Sequence, residues 1–200
     1  MRKTEDFLVE YDDASGKKKA DDSPKLMFGL YEWMDSVIYA VIAIFVLFTF
    51  FFRAVSVSGK SMQPTLNDGD WLVVSDTAYD AQRGDVVVIA QPVALKEPLV
   101  KRVIALAGDM VDINYVTGTV SINGTEIKEP YIKEAIKTAR DVAFPVEVPA
   151  GCVFVLGDNR NDSLDSRSRI VGFIDERYIL GKAVGRFYPF GTWSIYDYGE

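Results

Sequence analysis

Hydrophobic and polar positions fall into three regimes along the chain. Residues 1 to about 25 are charged, poor in aromatics, and carry Lys17-Lys18-Lys19 among several acids, the pattern of a disordered, solvated tail. From Leu26 to Met34 apolar and aromatic side chains gather (Leu26, Met27, Phe28, Leu30, Tyr31, Trp33), and Ser36 to Phe52 then runs without a charge. That run is at the short end of the roughly 17–25 residues a spanning helix needs. A buried soluble helix would keep a polar face, which this run lacks. A cleavable leader would have a shorter apolar stretch nearer the start, followed at once by a small-x-small site. Basic residues before the run (Arg2, Lys3, Lys17, Lys18, Lys19, Lys25) outnumber Arg53 and Lys60 just after it, so the N-terminus is expected in the cytoplasm. The expected organisation is a cytoplasmic tail over 1–25, an interfacial segment and transmembrane helix over 26–53, and an extracytoplasmic domain over 54–200.

Past Arg53 the periodicity changes. Short β-branched runs cover Trp71 to Ser75, Asp85 to Ala90, Leu99 to Ala105, Met110 to Asn114 and Cys152 to Leu156, with Val184 to Tyr188 as a closing strand. Gly, Asp and Asn punctuate them, as in Asn67-Asp68-Gly69-Asp70 and Gly108-Asp109. Asn123-Gly124 between Thr119 and Ile127 predicts a hairpin with a tight turn. The polar stretch 128–145, with Pro130 and room for a short helix, reads as an excursion from the sheet. The predicted fold is mainly β, a folded-over or barrel-like sheet on a single N-terminal transmembrane helix.

Composition narrows the chemistry. The chain has 200 residues, a formal charge of -7, one cysteine and no histidine. The acidic balance and the lack of a basic stripe argue against nucleic acid as a partner. Without histidine, Ser-His-Asp, Cys-His and His-metal chemistry are all excluded. Cys152, inside an apolar strand, reads as a small core residue. Any acyl-transfer chemistry must take its base from Lys, Asp or Glu.

Three polar features remain. Ser58-Gly-Lys-Ser-Met-Gln-Pro-Thr-Leu66 is a Gly-containing turn that could be any loop or could hold Ser61 with its hydroxyl available. Lys60 would leave the opposite face of an extended chain from Ser61. Lys101 interrupts the apolar strand Leu99 to Ile104; it could sit on a solvated edge, snorkel, or be stripped of water so that its neutral amine accepts a proton. Gly157-Asp-Asn-Arg-Asn-Asp-Ser-Leu-Asp-Ser-Arg167 follows the last clear strand. In it Asp165 and Arg167 share a face if extended and can pair.

In this order the motifs resemble those of the bacterial type I signal peptidases, the serine–lysine leader peptidases, from Glu32-Trp33 to about Tyr188. Ser58 to Leu66 looks like the serine box, Arg83-Gly-Asp-Val-Val-Val88 like the next, Lys101 to Asp109 like the lysine box, and Gly157 to Arg167 like the last. The resemblance implies Ser61 as nucleophile, Lys101 as general base, Ser163 orienting the lysine amine, and Asp158, Asp165 and Arg167 supporting the site. It implies an oxyanion hole built on the Ser61 backbone N–H, with a contribution from Gly59, which stands where one subgroup has a hydroxyl. Ala105 and Ala107 stand where many members have Gly and Pro. No metal or other cofactor is implied.

The implied reaction is removal of signal peptides from exported preproteins through an acyl-enzyme at the cell membrane. An extended substrate would add to strand edges at Ser56–Gly59 and Pro98–Lys101. Val57, Met62, Leu66, Leu99 and Val100 are the expected lining of its apolar pockets. The aromatic end of the chain, Phe187 to Tyr198, would either meet lipid headgroups or pack on the sheet, and the bilayer is the second expected partner.

Overall fold

A helix gives way without a break to strands at the boundary where the sequence changes from uncharged to alternating. The computed structural model describes residues 23–75, 79–90, 97–191 and 193–195. The expected tail lies almost wholly outside them, as do Tyr196 and Tyr198. The chain divides into two compact units, with the boundary in sequence between Val46 and Leu47.

Helix α1 spans Ser23–Phe51. Pro24 sits in its first turn, where a missing N–H costs no intrahelical bond. The side chains from Trp33 to Val46 are mostly apolar and exposed all round, Phe45 by 69% and Tyr39 by 71%. Among the described residues, no helix is long and apolar enough to cross a membrane.

The strands are β1 (Phe52–Ser56), β2 (Trp71–Ser75), β3 (Val86–Ile89), β4 (Leu99–Ala105), β5 (Met110–Asn114), β6 (Thr119–Ile122), β7 (Thr125–Glu126), β8 (Val146–Glu147), β9 (Cys152–Leu156), β10 (Ile174–Asp175) and β11 (Ile179–Tyr188). They form a seven-stranded sheet in the order β1-β2-β11-β3-β4-β9-β10 and a four-stranded sheet in the order β7-β6-β5-β8. The protein is mainly β, and the larger sheet is open, with β1 and β10 as its edges.

Burial follows strand position. In β2, Leu72 and Val74 point into the core while Trp71 faces out. In β3 all four residues are buried, because each face packs into its own core cluster, Val86 and Val88 into one and Val87 and Ile89 into the other. Val87, Ile89, Val103, Val153 and Val155 form one cluster; Met62, Leu66, Leu72, Val74, Val86 and Val88 form another. The Asn123-Gly124 turn has positive φ at both residues, 52° and 79°, as a tight hairpin requires.

Three expectations are corrected. The closing strand starts at Ile179, five residues before Val184, and lies inside the sheet between β2 and β11's other neighbour β3. Gly181 conceals it: a Cβ there would meet the Ser75 carbonyl oxygen at 2.3 Å, and the register slips between Ile179 and Gly181. The stretch 128–145 has no helix; Ile136 is fully buried beside Phe154, held by its N–H to the Gly118 carbonyl at 3.2 Å. Finally, Phe52 to Ser56 is a strand, pairing with β2 from Phe52↔Ser75 to Ser56↔Trp71.

Candidate active site

The serine turn is fixed before any chemistry is considered. Met62 and Leu66 are one helical turn apart, both buried, and the Leu66 N–H donates to the Met62 carbonyl at 2.9 Å. Their burial pins one side of the turn to the core and leaves Ser61 on the other, half exposed. Gly59 takes φ +92° and donates its N–H to Asp68 Oδ1 at 2.7 Å. Space around its Cα is open, so its positive φ, not a close approach, is what calls for glycine here. The engaged Gly59 N–H points away from an oxyanion role for that amide in this state. Lys60, just before the turn, is exposed.

Lys101 comes from the middle of β4, opposite Val87 of β3. It is 2% exposed, and its Nζ donates to Ser61 Oγ at 2.8 Å and to the Val100 carbonyl at 2.9 Å. Loss of water around the ammonium pulls its pKa down to about 8, against the nearby charges of Asp165 and Asp158, which raise it. With the amine neutral, the same 2.8 Å line lets Oγ–H donate to the nitrogen lone pair.

The loop after β9 closes the site from behind. Asn159 donates its backbone N–H to the Ser61 carbonyl at 3.0 Å and its side-chain amide to the Lys60 carbonyl at 3.1 Å. Gly157 touches both sides: a Cβ there would lie 2.5 Å from the Ser61 carbonyl oxygen and 2.2 Å from Ser163 Oγ. Asp165 and Arg167 are fully buried and paired through two bonds of 2.8 Å. Asp165 also accepts the Gly157 N–H at 3.2 Å, and Arg167 donates to the Arg160 carbonyl at 2.5 Å. Ser163 is buried, and its hydroxyl makes no hydrogen bond. The structure therefore puts Ser163 against Gly157 without a bond to the Lys101 amine.

Sequence reasoning gave no role to Arg102, Thr65, Glu129 or Arg160. Arg102 is fully buried, bonds Asp158 through Nε at 2.8 Å and Nη2 at 2.7 Å, and reaches the Gly84 carbonyl at 2.7 Å. Its guanidinium lies 4.1 Å from the centre of the Tyr131 ring. Thr65 Oγ1 donates to Asp158 Oδ2 at 2.5 Å. One carboxylate thus ties β4 to the serine turn. Arg160, also fully buried, pairs with Glu129 and donates to the Gly157 carbonyl at 3.1 Å. The available signal was the arginines that stand beside apolar strands in a chain of net charge -7.

A groove of about 450 Å³ opens in front of Ser61 and Lys101, lined by residues 54–58, Met62, Trp71 and residues 97–100. Val57, Met62, Leu99 and Val100 line it as expected positions. Leu66 does not: it is fully buried in the core, because the turn that exposes Ser61 drives Leu66 inward. Cys152 lies apart from the groove, and burial pushes its thiol pKa up.

A mainly β unit with a serine hydroxyl facing an apolar groove, in a chain without histidine, points to the class of serine hydrolases. Residues 30–188 match the family described as signal peptidase, peptidase S26. Signal peptidase I of Bacillus licheniformis is 39% identical over 171 residues, covering 80% of this chain and 90% of that protein. Signal peptidase I T of Bacillus subtilis is 37% identical, covering 80% and 86%, and signal peptidase IB of Staphylococcus aureus 35% identical, covering 82% and 93%. A solved signal peptidase I from Enterococcus faecalis aligns at 25% identity over 52% of this chain and 97% of its own, with a TM-score of 0.40. The chain belongs to the signal peptidase family, peptidase S26, and is a serine peptidase.

Proposed function

We propose that this serine peptidase removes signal peptides from exported preproteins through a Ser61–Lys101 dyad, at the outer face of a membrane that α1 anchors it to. The 2.8 Å contact between Lys101 Nζ and Ser61 Oγ carries the reading. Neutral Lys101 takes the Ser61 proton as Oγ attacks the scissile carbonyl, the C–N bond breaks, and Lys101 returns the proton to the leaving amine. The same amine then draws a proton from water as it attacks the acyl-Ser61 ester, and returns that proton to Ser61 Oγ as the ester C–O bond breaks. Ser163, whose buried hydroxyl has no partner, is the group that can hold the amine after a rotamer change. Asp158, Asp165 and Arg167 keep the loop and turn in register, and the Ser61 N–H receives the oxyanion.

The groove suits an extended peptide. Ser56–Ser58 and Pro98–Lys101 border it, and β1 is a sheet edge with backbone groups to offer. Val57, Met62, Leu99 and Val100 would receive the small apolar side chains before the cut. The anchor is supported by the uncharged run from Ser36 to Phe52 and by the exposed apolar side chains of α1. The basic residues before it place the tail over 1–25 in the cytoplasm and the peptidase domain over 54–200 outside.

The test is cleavage of a purified preprotein by the wild type, Ser61→Ala and Lys101→Met, with the cut mapped by mass spectrometry. Loss of at least about 10³-fold in each variant is expected, with the wild-type cut after a small-x-small sequence. Cleavage by either variant within tenfold of wild type would remove the dyad.

A further inference from the structure

Asn159 grips the nucleophile from behind at two points. Its backbone N–H donates to the Ser61 carbonyl at 3.0 Å, and its side-chain amide donates to the Lys60 carbonyl at 3.1 Å. Those carbonyls belong to the two peptide units on either side of the Ser61 Cα. Peptide units are planar, so holding both of them fixes φ and ψ of the nucleophile together. One bond would be enough to dock the loop on the turn.

Asn159 reaches Ser61 from a rigid mount. It is buried, and both its chain neighbours are buried in ion pairs, Asp158 with Arg102 of β4 and Arg160 with Glu129. The Lys133 N–H donates to the Asp158 carbonyl at 3.1 Å, and the Asp162 N–H closes a turn on the Asn159 carbonyl at 3.0 Å. The Lys60 oxygen can only accept, so Asn159 must present its NH2 group to it. Gln63 also donates its N–H to that oxygen, at 3.2 Å. That bond lies within the serine turn and moves with it, whereas Asn159 ties the peptide to the rest of the site.

The consequence falls on the other end of the same peptide. The Lys60–Ser61 bond is trans, so its C=O and its N–H point in opposite directions. With the C=O turned to Asn159, the Ser61 N–H faces away from the loop after β9. Among the described residues that N–H has no acceptor, and Ser61 lines the groove while Asn159 does not. A hydrogen bond accepted by the C=O also polarises the amide and strengthens its N–H as a donor.

From this geometry we propose that Asn159 is a positioning residue for the oxyanion: its side-chain amide holds the Lys60–Ser61 peptide so that the Ser61 N–H meets the developing negative oxygen. This rests on the Ser61–Lys101 reading of the site. As Oγ bonds to the scissile carbon, the carbonyl π pair moves onto the oxygen, and the Ser61 N–H donates to it until the pair returns and the C–N bond breaks. Asn159 touches no substrate, so its effect is felt only once that oxygen carries charge.

The experiment uses the full chain in detergent, a peptide that spans a signal-peptide cleavage sequence, and a peptide aldehyde that ends at the cut and adds to Ser61 as a tetrahedral adduct. Asn159→Leu keeps the shape and the backbone N–H but removes the side-chain donor; Asn159→Asp keeps the shape and turns the donor into an acceptor. In each, kcat should fall at least about tenfold, short of or reaching the ~10²–10³ that loss of an oxyanion donor costs, with KM within about twofold. Affinity for the aldehyde should fall by the same factor as kcat/KM. Binding of the uncut peptide to Ser61→Ala should not change when Asn159→Leu is added. The acidic limb of Asn159→Leu should stay near pH 8, because Lys101 is untouched. A residue that merely anchors the loop would instead raise KM, weaken the uncut peptide and shift the limb, and that pattern would overturn the proposal. So would kcat within threefold of wild type in either folded variant, or an unchanged aldehyde affinity beside a fallen kcat. Should Asn159→Leu not fold, Asn159→Asp decides through kcat, KM and aldehyde affinity. Failure of the wild type to cut the peptide, or equal cutting by Ser61→Ala, would strike the dyad reading itself, and the role of Asn159 would fall with it.

Discussion

A lysine that is 2% exposed must either find compensation for its charge or give up its proton. Lys101 has two oxygen acceptors and no carboxylate in contact, so burial prevails and the pKa settles at about 8. The sign of the linkage follows. Below pH 8 the folded protein carries a buried ammonium at full cost; that cost fades as pH rises from about 8 to the ordinary 10.5. The interval corresponds to on the order of 3 kcal/mol. Lys101→Met should therefore be more stable than wild type at pH 7, and the gain should vanish above pH 10. Denaturant melts at the two pH values check this, and a destabilised Lys101→Met at pH 7 would contradict it. Gly157 is the other residue with no slack. Gly157→Ala places a methyl 2.2 Å from Ser163 Oγ and 2.5 Å from the Ser61 carbonyl oxygen, a strain of about 1–3 kcal/mol. It should lower Tm and also lower kcat more than it raises KM, since the displaced group is Ser61.

At the scale of elements, the site is a junction of β4, the serine turn and the loop after β9, and Asp158 is where all three meet. Arg102→Met or Asp158→Leu alone leaves one buried charge unpaired, for a cost of about 3–5 kcal/mol. The double variant should cost less than either single change, because it removes both charges; additive losses would show that the pair does not act as a unit. The sequence revealed the strands whose β-branched runs are long and bounded by Gly or Asp, such as β4 and β9. It did not reveal β8 and β10, each two residues long, since so short a strand has no period to detect. Nor did it reveal the start of β11, where a glycine and a register slip interrupt alternation. Ser61 and Lys101 stood out because a serine box and a lysine inside an apolar strand came in order in a chain without histidine. Arg102 did not stand out: alternation predicts that the neighbour of a buried lysine faces solvent. β4 is covered on both faces: Val103 packs into one core cluster and Ile104 into another, and Arg102 is buried against Asp158. Leu66 was misplaced for a related reason, since an extended reading of the serine box hides the helical turn that sends it inward.

At the scale of the whole molecule, anchoring and catalysis make separate predictions. If α1 is the anchor, the full chain should stay with membranes after alkaline carbonate extraction. Protease added from outside should digest the β unit and spare a fragment holding Lys17-Lys18-Lys19; release by carbonate would contradict a spanning helix. The central claim, however, is that a desolvated, neutral Lys101 is the base that activates Ser61. The base works only when deprotonated, so activity must rise with pH as Lys101 loses its proton. The most direct measurement is kcat/KM against pH for preprotein cleavage by the full chain. The account predicts an acidic limb with its midpoint near pH 8. A midpoint near 10.4, the ordinary value for lysine, or a profile flat from pH 6 to 10, would contradict it.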